Sequence, residues 1–264
     1  MKIGFIGFGE ASSKIFEGLY KENKKNEYYA YDSNKNIYNK EKAIYFCDSV
    51  EELIKKVEYI FVAIPGRYEN KLFKKIYCLD LGNKIFMDLC TTNPDIKLEI
   101  SKKVEEKNGI YIDVAVLGSV PKLLHKTPMI VSGNNCSIMK KKFSRFHMDI
   151  TVKDGPVGLA STIKLCRSVF LKGLPALAIE TKAICEKYGV TEEVFKSIYT
   201  NLENQKFEHY LNILVNGAYN HSKRQLDEIE ECIDLERKVN LKPEMTCSTK
   251  RVFKNIVNNK AISK

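Results

Sequence analysis

Strand-like and helix-like patterns alternate along the first 150 residues. Short apolar runs occur at Lys2–Ile6, Tyr28–Tyr31, Tyr59–Ile64, Lys84–Asp88, Tyr111–Val116 and Met129–Ser132. Each has the length and bounding residues of a strand. Between them, Ala11–Glu22, Ser49–Lys55, Tyr68–Lys75 and Asp95–Lys107 carry apolar residues at helical spacing, and Pro94 marks the start of the last. This alternation predicts a parallel sheet with helices on both faces. The pattern changes after Asp154-Gly155-Pro156. Val157–Lys187 reads as one long helix, and Gly173 and Pro175 predict a kink in it. Further helices are expected over Thr191–Asn201, Asn204–Asn216, Ser222–Val239 and Cys247–Asn258. Thr191, with Glu192 and Glu193 behind it, has the form of a capped, acidic first turn. The expected architecture is an α/β domain over residues 1–155 and an all-α domain over residues 156–264.

The first strand runs straight into Gly7-Phe8-Gly9-Glu10-Ala11-Ser12, and a helix follows. Gly7 permits a tight turn. Gly9 lets the backbone approach a pyrophosphate, whose charge the helix N-terminus favours. Ser12 stands where a third small residue packs helix against strand. Asp32 ends the second strand, at the spacing from which a carboxylate reaches the ribose hydroxyls. The strand, loop, helix and acid together predict a Rossmann-type site for a nicotinamide dinucleotide. Asp32 would repel a 2′-phosphate and so favours NAD, while Lys35 offers a charge that accommodates NADP.

Composition narrows the function classes. The net charge is +10, from 43 Lys and Arg against 33 Asp and Glu. The lysines are spread along the chain and alternate with acids, as in Lys102-Lys103-Val104-Glu105-Glu106-Lys107; only Lys140-Lys141-Lys142 clusters tightly. This reads as a solvated surface that attracts anionic ligands, not as a nucleic-acid interface. No apolar run approaches the roughly 20 residues of a membrane span, so no membrane partner is expected. Met1 leads into Lys2–Ile6, too short for a secretory h-region. The eight cysteines show no C-x-x-C spacing and read as free thiols, which predicts a cytoplasmic protein. No acid–histidine cluster suggests a metal, and His125 and His147 read as structural or surface residues.

Four more segments sharpen the expectation: Val62-Ala63-Ile64-Pro65, Asp88-Leu89-Cys90-Thr91-Thr92-Asn93-Pro94, Asp113-Val114-Ala115-Val116-Leu117-Gly118-Ser119, and the run from Gly158 through Lys164 to Ser168. In composition and order they resemble the motifs of the β-hydroxyacid dehydrogenase superfamily, which includes the 3-hydroxyisobutyrate and 6-phosphogluconate dehydrogenases. The resemblance covers essentially the whole chain. It implies that Ile64 and Pro65 lie along the cofactor and that Thr91 lies near the nicotinamide. It also implies an active site between the two domains. Two departures stand out. Leu117 replaces a serine used on the substrate carboxylate, and Ser168 replaces an asparagine four residues after the lysine. With Lys164-x-x-Arg167-Ser168 and His221-x-x-Arg224, they resemble the branch whose C-terminal domain is described as phosphogluconate dehydrogenase-like and NAD-binding. Phosphogluconate itself is not implied as substrate.

Lys164 is the candidate catalytic residue. Helical spacing places it with Ala160, Arg167, Ser168 and Leu171 on a largely apolar face. Desolvation there lowers a lysine's pKa towards the range of proton transfer. Position alone favours a lysine whose stem covers apolar surface; the resemblance reverses this and implies the catalytic role. Leu117, Gly118, Ser119, Ser168 and Arg224 are the candidate substrate contacts, with Arg167 and His221 nearby. The expected function is hydride transfer between NAD(P) and a small anionic hydroxy acid, or its keto or aldehyde form. A homodimer is expected to cover the apolar faces of the short helical domain. Two alternatives stay open: a non-catalytic dinucleotide-binding protein, to which Leu117 and Ser168 point, and imine reduction on the same scaffold, whose members usually replace the lysine.

Overall fold

The computed structural model describes residues 1–37, 43–203 and 205–262, with side chains described to residue 259. Eight strands form one sheet: β1 (Lys2–Ile6), β2 (Glu27–Tyr31), β3 (Tyr45–Phe46), β4 (Tyr59–Val62), β5 (Ile85–Asp88), β6 (Ile110–Val116), β7 (Met129–Ser132) and β8 (Ile150–Val152), in spatial order β3-β2-β1-β4-β5-β6-β7-β8. Every neighbouring pair is parallel except β6–β7. Parallel neighbours need crossovers. These contain α1 (Glu10–Glu22), α2 (Val50–Lys56), α3 (Glu69–Ile76) and α4 (Pro94–Glu105); α5 (Val120–Leu123) lies between β6 and β7, and α6 (Ser137–Phe143) between β7 and β8.

The period-two alternation of the strands builds a core on each face of the sheet. In β4, Tyr59 and Phe61 belong to one core and Ile60 and Val62 to the other. Phe5 stacks on Phe61 at 5.3 Å, and Phe143 meets Phe61 edge-on. On the opposite face, Phe73 packs against Phe86 and Tyr111. Asp113 falls on that second face, two residues after Tyr111, and pairs in register with Asp88. Both acids are buried at the C-terminal end of the sheet, the end at which open α/β sheets bind ligands.

The strands and helices expected for the α/β region appear within a few residues of their bounds, and β1 and β7 match at both ends. The structure adds β3, β8, α5 and α6. The two strands have two and three residues, too few to show a period. α6 contains the Lys140–Lys142 cluster and is anchored by buried Met139 and Phe143.

The helices that follow are α7 (Leu159–Tyr188), α8 (Thr191–Glu203), α9 (Phe207–Asn220), α10 (Ser222–Lys238) and α11 (Glu244–Ile262). Asn204, where the sequence begins its next helix, lies outside the described residues. Gly173 and Pro175 do not end α7, and Pro175 sits inside it. Two compact units emerge, Met1–Ser168 and Val169–Lys264. The sequence pattern changes near residue 155, whereas the units divide after Ser168. The start of α7 belongs with the sheet because Asp113 holds it there. Oδ2 of Asp113 accepts from Gly158 N (3.1 Å) and Ser161 N (2.9 Å), and Oδ1 from the Ser161 hydroxyl (2.6 Å). Within the second unit, Glu180 of α7 accepts from Met245 N, Thr246 N and the Thr246 hydroxyl, tying α7 to α11. Among the described residues no helix is long and apolar enough to cross a membrane.

Candidate functional site

The register of the sheet brings three loops together. Ile6 pairs with Tyr31 on one side and Val62 on the other. Gly7, Asp32 and Ala63 therefore leave the sheet side by side, where the strand order reverses around β1. Gly7 donates its amide to Tyr31 O (2.8 Å) and has φ +83°. A Cβ on it would lie 2.5 Å from Ala63 O and 2.6 Å from Ile64 Cγ2. Conformation and close approach both require glycine here. Gly9 has no heavy atom within 4 Å of the place a Cβ would occupy, and as the cap of α1 it has no side chain to take up the first-turn amides. That open, amide-rich space suits a pyrophosphate. Asp32 accepts from Phe8 N (2.7 Å) and Asn34 N (2.8 Å), which fixes its carboxylate beside the loop. A cavity of about 530 Å³ runs along Gly7, Gly9, Asp32, Ile64, Pro65 and Tyr68, and its wall includes Lys71 and Lys75 of α3. These residues fit a dinucleotide.

The remaining loop residues play different parts. Phe8 is buried, with its ring against Phe5, Phe16 and Phe46. Ser12 is buried in α1, while Glu10 is exposed on the first turn. Lys35 pairs with Asp48 at 3.5 Å. His125 is buried, its Nε2 2.8 Å from Phe146 O, and its ring occupies the space a side chain on Gly18 would need.

A second cavity, about 480 Å³, is lined by Ala11, Pro65, Gly66, Thr91, Gly118 and Lys164, together with Cys90. Lys164 is partly buried and its pKa lies below the ordinary lysine value. Burial is the main cause and the Lys97 ammonium the second; Cys90, Asp113 and Asp88 act in the opposite direction. Ser168 donates its hydroxyl to the Lys164 carbonyl (2.9 Å), within the helix. Leu117 donates its amide to Pro128 O, and Ser119 is exposed at the start of α5. Arg224 is exposed on α10 of the second unit, as is His221 just before it; Arg167 is exposed on α7.

Beneath this cavity lies a charged cluster that the sequence reading did not single out. Lys97 Nζ lies 2.8 Å from Asp88 Oδ2 and 3.1 Å from Glu69 Oε1, and all three side chains are fully buried. Asp88 also accepts from Cys90 N (2.9 Å) and from the Tyr111 hydroxyl. Glu69 accepts from the Thr92 hydroxyl (2.6 Å). Burial pushes Asp88 up, but the Lys97 ammonium, then hydrogen bonding from Glu69, Lys97 and the Tyr111 hydroxyl, hold it below the ordinary carboxylate range. Glu69 is pushed up to about 8, by burial first and then by Asp88. Among the described residues, Glu69, Asp88 and Cys90 are the group close enough to hold a metal ion, but the Lys97 ammonium already lies against both carboxylates. A sequence signal did exist. Lys97 stands in the buried stripe Lys97-Ile100-Ser101-Val104 of α4, and Glu69 in that of Glu69-Phe73-Ile76 in α3.

Residues 2–143 match the family model for the NAD binding domain of 6-phosphogluconate dehydrogenase. The chain is 30% identical over 258 residues to an uncharacterised 28.5 kDa protein from the 7S RNA 5′ region of Methanothermus fervidus, covering 97% of this chain and 99% of the relative. A solved conserved protein of unknown function, described as structurally similar to 3-hydroxyacid dehydrogenases, aligns with TM-score 0.63 and 22% identity, covering 99% of this chain and 98% of that one. An imine reductase from Myxococcus stipitatus, solved with NADP+, aligns with TM-score 0.81 at 14% identity, covering 98% of this chain and 95% of its own. At these identities the solved structures show the fold alone.

Proposed function

The chain belongs to the family that carries the NAD-binding domain of 6-phosphogluconate dehydrogenase, and from that premise we propose that it is an NAD(P)-dependent oxidoreductase acting on a small hydroxy acid or its carbonyl counterpart. The observation that carries the reading is Lys164. A lysine with a lowered pKa lines the same cavity as the loops after β4 and β5, next to the dinucleotide cavity. Gly9 and the α1 amides would hold the pyrophosphate, and Asp32 the ribose hydroxyls. When bound, the nicotinamide accepts or supplies a hydride. In the oxidative direction, neutral Lys164 takes the proton from the substrate hydroxyl. In the reductive direction, its ammonium gives a proton to the carbonyl oxygen. Proton transfer of this kind contributes roughly 10²- to 10⁴-fold in rate. Asp32 favours NAD, whereas Lys71 and Lys75 on the wall of the first cavity keep NADP in the comparison.

The substrate-facing assignments to Leu117, Gly118, Ser119, Ser168 and Arg224 belong to the same reading. Gly118 has the best support, since it lines the cavity with Lys164. The Ser168 hydroxyl already donates to a backbone carbonyl and supports this assignment least. We also assign the protein as a homodimer, supported by exposed apolar side chains on the second unit, including Val169, Leu174, Leu177 and Ile179. The free cysteines support a reducing, cytoplasmic setting.

The test is a screen of hydroxy acids, sugar acids and cyclic imines against NAD and NADP in both oxidation states, following the reduced cofactor by absorbance. Turnover of a hydroxy acid, abolished in Lys164→Ala, is the expected result. Turnover of imines alone would favour imine reduction. Cofactor binding without turnover of any substrate would favour a regulatory protein.

A further inference from the structure

We propose that Glu69, Asp88 and Lys97 form a buried clamp that positions the two loops walling the Lys164 cavity, which makes them positioning residues for the reaction proposed above. The inference rests on that reading of the cavity. It starts from an anomaly: three ionisable side chains, fully buried, in a core of apolar residues such as Phe73, Phe86 and Ile100. Burying ions is costly, and apolar residues of similar volume often stabilise such a site equally well. What the charges add is direction. They tie together elements that an apolar core would only press against one another.

Two hydrogen bonds of the clamp end on the loop after β5, whose Cys90 and Thr91 line the cavity. Asp88, at the end of β5, holds the Cys90 amide and so sets how the chain leaves the strand. Glu69, at the start of α3, holds the Thr92 hydroxyl from the other side of the same loop. Lys97, from α4, bridges both carboxylates. The loop after β4 is held in turn, because Gly66 lies so close to Thr91 that a Cβ there would stand 2.5 Å from its carbonyl oxygen. Pro65, Gly66, Cys90 and Thr91 all line the cavity with Lys164. The clamp therefore sets the distance between these walls and the lysine without touching a ligand itself.

The experiment uses the full chain and three variants, Thr92→Val, Thr92→Ser and Lys97→Met. Thr92 is only partly buried, so its substitution leaves the buried charges in place. Hydrogen exchange is read without cofactor. Thr92→Val is expected to speed exchange of the Cys90 amide, which Asp88 holds, by about tenfold, the effect of losing one hydrogen bond that restrains a local opening, and Lys97→Met by more, since it removes contacts to two carboxylates. Amides of β1 should not change. Thr92→Ser keeps the hydroxyl and should exchange as the wild type does. With NADH as probe, Thr92→Val should lose the emission enhancement that a water-excluding nicotinamide pocket gives. Its dissociation constant should stay within about threefold, because the Gly7–Asp32 end is untouched. Unchanged exchange in Thr92→Val overturns the clamp. So does failure of Thr92→Ser to restore wild-type exchange, or wild-type NADH emission in Thr92→Val. Exchange tests the clamp even if Lys97→Met fails to fold. A wild type that binds neither NADH nor NADPH overturns the functional reading, and exchange still decides whether the clamp exists.

Discussion

Gly7 shows how much a single position carries. Its φ of +83° and its approach to Ala63 O leave no room for a Cβ. Gly7→Ala must therefore strain the loop or push it away from β4, at a cost of about 1–3 kcal/mol. A lowered urea midpoint and a tenfold or greater loss of NADH affinity, about 1.4 kcal/mol, are the expected outcomes, read by fluorescence titration. Lys164 predicts a pH profile. Burial and Lys97 lower its pKa, so its neutral form appears below the ordinary lysine value of 10.5. Oxidation should rise with pH along a limb below that value, and Lys164→Ala should lose the limb together with roughly 10²- to 10⁴-fold in kcat. Glu69 predicts the opposite kind of slope, in stability. It is packed among Asp88, Lys97, Cys90, Tyr77 and Tyr111, and its pKa is raised from 4.5 to about 8. The folded state then binds a proton that the unfolded state has released. The stability this contributes is complete below 4.5 and is lost as pH rises to about 8. Thermal melts across that range should fall more steeply for wild type than for Glu69→Gln. Equal slopes would show that Glu69 is charged throughout.

The start of α7 is the element on which the site depends. Side chains from the sheet satisfy its first amides: Asp113 takes Gly158 N and Ser161 N, and Ser132 Oγ takes Ala160 N. Local sequence shows no cap there, because the capping groups lie 28 to 48 residues away. Gly158 has φ +97° and packs against Pro94, which adds a second restraint. Asp113→Ala removes a cap and leaves buried donors unpaired, so it should cost about 2–4 kcal/mol in urea unfolding. A loss below about 0.5 kcal/mol would mean that the helix start finds other partners. Helical spacing had placed Lys164 on an apolar face, and that much was legible locally. Its shared cavity with Thr91 and Gly118 was not, because no period relates residues so far apart in the chain. Pro175 makes a related point. The pattern predicts one long helix with a kink there, and α7 does continue through it, since a proline removes one backbone hydrogen bond and a long helix keeps the rest.

At the scale of the molecule, the second unit leaves an unusual amount of apolar surface in contact with water. Val169 is 77% and Ile179 70% exposed, with Leu174, Leu177 and Leu214 near half. Large apolar side chains left exposed in this number are a mark of interaction surfaces. The expected outcome in analytical ultracentrifugation is a dimer, and Ile179→Glu with Val169→Glu should shift it to monomer. A wild type that sediments as a monomer at micromolar concentration would count against the assignment. The glycine loop, Asp32, most strands and helices, and the change to all-helical pattern near residue 155 are all determined by the sequence alone. They rest on local periods and on motifs within a few tens of residues. Only the tertiary structure decides that Asp88 and Asp113 share one face, that Glu69 and Lys97 meet beneath the Cys90–Thr92 loop, and that the start of α7 belongs to the sheet. Those facts depend on strand register and on hydrogen bonds between distant residues. A buried lysine in an apolar stripe warns that a partner exists, but the sheet chooses which carboxylates it meets.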